Sequence, residues 1–221
     1  MPGPTTGGRT PAQPEPTGPI LLETEARDGT PLLIRPILPE DAARLRAGFQ
    51  ELSPESRYLR FMSPLVELSD EQVERLTRID YRDHMAWVAV DPTKPGQPGL
   101  GVARYVRVAE EPTVAEAAIT VVDSHHGRGI GTILLAVLAL SARDNGITTF
   151  RAYVLEENLV VLELLREMGG VTEQFDGSVM KVDVPLPEDP DDIPDTPTGR
   201  VFRAAAGKLI PTGSILYRHL V

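Results

Sequence analysis

The chain has 221 residues, 22 Lys plus Arg against 32 Asp plus Glu, a formal net charge of −10 and 41% hydrophobic residues, enough for one ordinary domain with a core. It has no cysteine, which excludes disulfides, thiolate metal sites and a cysteine nucleophile. The acidic balance argues against general nucleic-acid binding, no apolar run nears the ~20 residues of a membrane span, and no signal-peptide pattern opens the chain, so a cytoplasmic location is expected.

Residues 1–19 hold 6 Pro and 4 Gly and read as a disordered leader. Ile20–Glu25 and Leu32–Ile37 flank Asp28-Gly29 and predict a hairpin. Pro39-Glu40-Asp41 opens a helix whose apolar positions are Ala42, Leu45, Phe49 and Leu52. Ser53 caps a second helix with Pro54 at its first position, and Ser69 with Gln72 forms a capping box for a third, through Ile79. Met85–Val90, Leu100–Val108 and Val114–Val122 read as strands. A glycine loop follows at 127–131, then an apolar helix up to Asn145-Gly146. Thr148–Val154 predicts a strand, Asn158–Met168 a helix, and the runs around Asp176-Gly177 a closing hairpin. The predicted core domain is therefore a mixed α/β unit over 20–184. Residues 183–199 carry six acidic and no basic side chains, and 200–221 carry four basic and no acidic ones. We read 185–199 as an acidic Pro-rich linker and 200–221 as a basic, apolar-ended segment that docks on its own domain or on another copy.

The glycine loop carries the chemistry. Gly127, Gly129 and Gly131 permit tight turning, and the helix that follows offers unpaired N–H groups and a positive dipole end to a diphosphate, with Arg128 as an added cation. No Gly-Lys-Ser/Thr follows, and the G-x-G-x-x-G spacing is absent. His126-Gly127-Arg128-Gly129-Ile130-Gly131 resembles the acyl-CoA pyrophosphate loop of the GNAT superfamily of N-acetyltransferases, Gln/Arg-x-x-Gly-x-Gly/Ala, with His126 at the first position. Arg35-Pro36-Ile37 with Pro39-Glu40-Asp41-Ala42 is similar to the superfamily's first strand and helix. Asn158 with Met168-Gly169 is similar to its later helix. The stretch 52–61 resembles bacterial Pat-type protein-lysine acetyltransferases.

The resemblance implies a mostly antiparallel central sheet with a splayed parallel strand pair, flanked by helices. It implies acetyl-CoA as acyl donor and a primary amine, a protein lysine, as acceptor. The backbone of Val121 and Val122 would pair with the pantetheine arm. His126, Gly127, Arg128, Gly129, Ile130, Gly131 and Thr132 would hold the pyrophosphate, and Asn158 the thioester end. Glu116, on the strand feeding the loop, is the candidate general base, and its small apolar flanks lead us to expect desolvation. Arg57 and Tyr58 are candidates for the acceptor groove. Tyr153 is a weaker candidate for general acid, since the stretch after Asn158 lacks a Tyr. No metal is expected, because neighbouring His125 and His126 seldom face one ion. The alternatives are a small-molecule amine acetyltransferase and a non-catalytic acyl-CoA-binding regulatory module.

Overall fold

The computed structural model describes residues 22–188, 192–193, 195–196, 198–200 and 202–204. The leader expected over 1–19 and most of 200–221 lie outside the described residues. The element order is β1 (Leu22–Glu25), β2 (Pro31–Pro36), a 3-10 turn (Pro39–Asp41), α1 (Ala42–Gln50), α2 (Pro54–Phe61), α3 (Asp70–Thr77), β3 (His84–Val90), β4 (Gly99–Val108), β5 (Glu111–Val121), a second 3-10 turn (Asp123–His125), α4 (Ile130–Asp144), β6 (Thr149–Leu155), α5 (Leu159–Glu167), β7 (Val171–Asp176) and β8 (Val179–Pro185).

The caps are those the sequence supplies. Ser53 Oγ accepts from the Ser56 amide at 3.1 Å and starts α2. Ser69 and Gln72 exchange bonds of 3.1 and 2.8 Å at the start of α3. Asn158 Oδ1 accepts from the Val161 amide at 3.3 Å and starts α5. The sheet order is β1-β2-β3-β4-β5-β6-β8-β7. Every pairing is antiparallel except β5 with β6.

Strand alternation sorts side chains to two faces. Met85, Trp87, Ala103, Tyr105, Ala115 and Ala117 face α4 and form the main core with Leu134, Leu138 and Phe150. Trp87 is fully buried, and its indole N–H donates to Ser141 Oγ at 2.8 Å. The opposite face carries Ala86, Val88 and Val90, beneath the cluster made by Phe49 of α1, Leu52 just after it and Val73 of α3. The segment expected as linker contributes Leu186 and Ile193 to the main core, and Phe202 follows them. Thr196 Oγ1 donates to the Glu167 carbonyl at 3.1 Å, so the chain lies against the end of α5.

Candidate active site

The site begins where β5 and β6 separate. They share three register pairs, Val114 with Thr149, Ala115 with Phe150 and Glu116 with Arg151. Beyond them the strands diverge, and the β6-facing edge of Ala117–Val121 has no strand partner among the described residues. This is the splayed parallel pair expected from the sequence. An open strand edge can take an extended chain as an added strand.

Glu116 stands at the vertex of the split. It is exposed, while its flanks Ala115 and Ala117 are buried. Alternation explains this: the small neighbours point into the α4 core, and Glu116 points to the other face, toward α2. The apolar flanks therefore do not bury the carboxylate as expected. Arg151, opposite Glu116, is committed elsewhere, to Asp183 at 2.9 and 3.0 Å and to Glu111. Among the described residues no cation pairs with Glu116 within 4 Å, although Arg60 on α2 is close enough to feel its charge.

The glycine loop follows β5. Gly127 and Gly129 have φ of 73° and 81°, in the left-handed region that favours glycine. A Cβ at Gly131 would meet Ile119 Cδ1 at 3.1 Å, so any side chain there would make the Ile119 tip give by a few tenths of an ångström where α4 crosses β5. Among the described residues, the amides of Gly127, Arg128, Gly129, Ile130, Gly131 and Thr132 donate to no protein acceptor. Six free N–H groups at a glycine-rich helix start suit an anion of diphosphate size.

His126, at the loop's variant position, turns back. Its Nε2 donates to the Val121 carbonyl at 2.9 Å, which closes the turn from β5 and uses one of that oxygen's two lone pairs. Val122 donates its amide to the Leu100 carbonyl at 2.9 Å. Asp123 anchors α2 to the loop, because its Oδ2 accepts from the Ser53 amide at 3.1 Å. Burial pushes the Asp123 carboxyl up, but hydrogen bonds from Ser53 and Ser56 and the nearby His126 outweigh it and hold it below the ordinary aspartate value. The Arg128 guanidinium donates to the Ser124 carbonyl at 2.7 Å and pairs with Asp28 at 2.9 Å.

Sequence reading missed Arg27. It is exposed in the β1–β2 turn, and its amide donates to the Arg128 carbonyl at 2.8 Å. Its Nε lies 3.9 Å from where a Cβ on Gly129 would sit. A hairpin turn 100 residues upstream gives no local signal that it folds onto the loop.

The acceptor-side candidates separate. Arg57 clamps α2 to its neighbours, donating to the Val66 carbonyl at 3.0 Å and the Gln50 carbonyl at 3.1 Å, with its Cζ 4.7 Å above the Phe49 ring. Tyr58 is 42% exposed, so its ring is available at the surface. Tyr153 shares the face of Glu116 by register and packs on Phe175 with ring centroids 4.8 Å apart. Asn158 spends its Oδ1 on the α5 cap, at the mouth of the split. Among the described residues no group of three His, Cys, Asp or Glu could hold a metal ion, and no helix is long and apolar enough to cross a membrane.

A split parallel pair, a glycine loop of free amides and a helix starting on that loop are the marks of one family, and the chain belongs to it. Residues 31–171 match the acetyltransferase (GNAT) domain, so the chain belongs to the GNAT acetyltransferase family. It is related to Pat acetyltransferases. It is 36% identical over 166 residues to acetyltransferase Pat of Mycolicibacterium smegmatis, covering 75% of this chain and 49% of that protein. Among solved structures, the GNAT domain of S. lividans PAT superposes with a TM-score of 0.69 at 32% identity, covering 75% of this chain and 97% of that one. The cAMP-binding acyltransferase from Mycobacterium smegmatis superposes with a TM-score of 0.57 at 30% identity, covering 86% of this chain and 55% of that one. The chain thus spans about half the length of the Pat relative.

Proposed function

We propose that the chain moves the acetyl group of acetyl-CoA to a primary amine, with a protein lysine as acceptor and Glu116 as general base. The observation that carries this reading is the position of Glu116 at the vertex of the β5–β6 split, with no ion pair among the described residues. In this reading the amides of residues 127–132 hold the pyrophosphate. The free edge of β5 down to Val121 and Val122 runs beside the pantetheine arm, and Asn158 borders the thioester end.

A lysine amine is almost wholly protonated at neutral pH, with an ordinary pKa near ~10.4, and must lose a proton before it attacks. Glu116, open to solvent, takes that proton directly or through one water. The amine nitrogen bonds to the thioester carbon, the C–S bond breaks, and CoA leaves as a thiolate whose conjugate acid has a pKa near ~8.5; the second N–H proton, shed as the amide forms, passes to that sulfur directly or through water and gives the free thiol. A side-chain acid is therefore optional, and Tyr153 is the residue on the right face to serve as one. Tyr58 offers an exposed ring beside the acceptor path, and Arg57 fixes the helix that bears it. The net charge of −10 steers a cationic acceptor toward the chain.

The test is free-thiol release with a lysine peptide. Glu116→Gln is expected to keep acetyl-CoA affinity and lose roughly 100-fold or more in kcat. Equal turnover by wild type and Glu116→Gln removes Glu116 from the mechanism.

A further inference from the structure

A cavity of about 90 Å³ lies between the sheet and helices α1–α3. At roughly 15 Å³ per water-sized occupant it admits about six heavy atoms. Its walls are largely apolar, with Phe61, Leu76 and Val102 among them, but three arginines line it: Arg44 from α1, which is paired with Asp41, Arg60 from α2 and Arg104 from β4. Arg104 is 6% exposed. One of its terminal nitrogens donates to the Leu76 carbonyl at 3.3 Å and lies 3.2 Å from His84 Nε2. Among the described residues its Nε and other terminal nitrogen have no hydrogen-bond partner, and no carboxylate lies within 4 Å of Arg60 or Arg104.

The nearest buried carboxylate cannot help. Asp41 lines the same cavity, but it already accepts from Arg35 at 2.6 and 2.7 Å, from Arg44 at 2.9 Å and from the Leu38 amide at 2.9 Å. Burial pulls the Arg104 guanidinium down to about 9, and the nearby Arg60 pushes the same way. Burial also lowers Arg60, against which Glu116 acts favourably. His84 is held neutral and adds no negative charge. Buried cations without a counter-ion are costly, and a guanidinium with free donors in an apolar cavity suits a planar carboxylate.

We propose that this cavity is a subsite for a short aliphatic carboxylate carried by one of the two reactants. This rests on the acetyltransferase reading and names a substrate class for it. Arg60 lines the cavity, and so does Thr120, which alternation puts on the same face of β5 as Glu116, so the cavity lies under the face of the sheet that bears Glu116. The carboxylate comes either from the far end of a dicarboxylic acyl arm on the donor or from an amino-acid acceptor. The group-transfer balance is unchanged. Glu116 takes the ammonium proton, the amine nitrogen forms the new bond to the acyl carbon, the C–S bond breaks, and the second N–H proton passes to the departing thiolate.

The experiment compares kcat/KM in two arms on the full chain. One arm uses a lysine peptide with succinyl-CoA against butyryl-CoA, which has a similar length and no charge. The other uses acetyl-CoA with free amino acids against their amides. In one arm the carboxylate form is expected to win by about tenfold or more, and that arm names the source. Arg104→Met is expected to erase the preference and Arg104→Lys to restore part of it, with calorimetric acetyl-CoA affinity retained as the check on folding. Arg60→Met provides a second, less buried site with the same expected loss. Acetyl transfer with no carboxylate preference in either arm overturns this inference alone. Absence of affinity for every CoA thioester overturns the acetyltransferase reading and this inference together.

Discussion

The Arg128 guanidinium lies 2.9 Å from the Asp28 carboxylate, so the cation of the glycine loop is already held by the turn of the first hairpin. The hairpin grips the loop a second time through the Arg27 amide on the Arg128 carbonyl at 2.8 Å. The loop is thus braced from outside while its own amides stay free. Bracing lowers the ordering cost that a bound diphosphate would otherwise impose.

Arg128 therefore divides its charge between Asp28 and any bound phosphate. Arg128→Gln is expected to raise KM for acetyl-CoA roughly tenfold with little change in kcat. Asp28→Asn releases the cation and is expected to lower that KM about twofold. Steady-state kinetics over a range of donor concentrations checks both directions.

Gly129 has φ of 81° and caps α4. Gly129→Ala is expected to cost about 1–2 kcal/mol of stability, since an alanine there is strained. Its acetyl-CoA affinity is expected to fall as well, because the strained turn shifts the free amides. Denaturant unfolding and calorimetry on the same sample measure both.

Asp41 binds Arg35 through two hydrogen bonds where both side chains are nearly buried, at 4% and 10% exposure. Asp41→Asn leaves Arg35 buried with a weakened partner and is expected to cost about 3 kcal/mol. A smaller urea midpoint shift, equal to that of a surface substitution, would show that the pair does not hold β2 to α1.

His84 is held down at about 4, chiefly by burial and then by Arg104, against an ordinary value of 6.5. Between those values the unfolded chain takes up a proton and the folded one does not. Stability is therefore full above about pH 6.5 and falls as pH drops toward 4, by at most about 1.4 kcal/mol per pH unit, less what solvent reaching the ring removes. His84→Gln is expected to flatten that slope in unfolding measured from pH 7 to 4.5.

Most of the fold was legible because its signals are local. Ser53 and Ser69 mark helix starts by chemistry that acts within three residues and cap as expected; Asn158, expected at the thioester end, caps α5 as well. The apolar run of α4 and the valine-rich strands gave the layers. The end of α3 fell two residues short of Ile79, where the chain turns extended at Arg78. What stayed hidden depends on distant partners. The commitment of Arg57 to Gln50 and Val66, the brace from Asp28 to Arg128, and the two arginines without a carboxylate partner under α1–α3 all follow from packing that spacing does not encode. The exposure of Glu116 was within reach, since alternation along β5 sends Ala115 and Ala117 one way and Glu116 the other. Leu186 and Ile193 were masked by the acids around them, although two apolar residues in an acidic stretch are themselves a docking signal.

The central claim is that the peptide nitrogens of residues 127–132 grip the diphosphate of CoA. Isothermal titration of the full chain with acetyl-CoA, CoA and ATP in parallel tests it most directly. We predict one-to-one binding of acetyl-CoA and CoA with Kd of roughly 1–1,000 µM and weaker or no binding of ATP. A flat trace with both CoA species, from a sample that unfolds cooperatively, would contradict it.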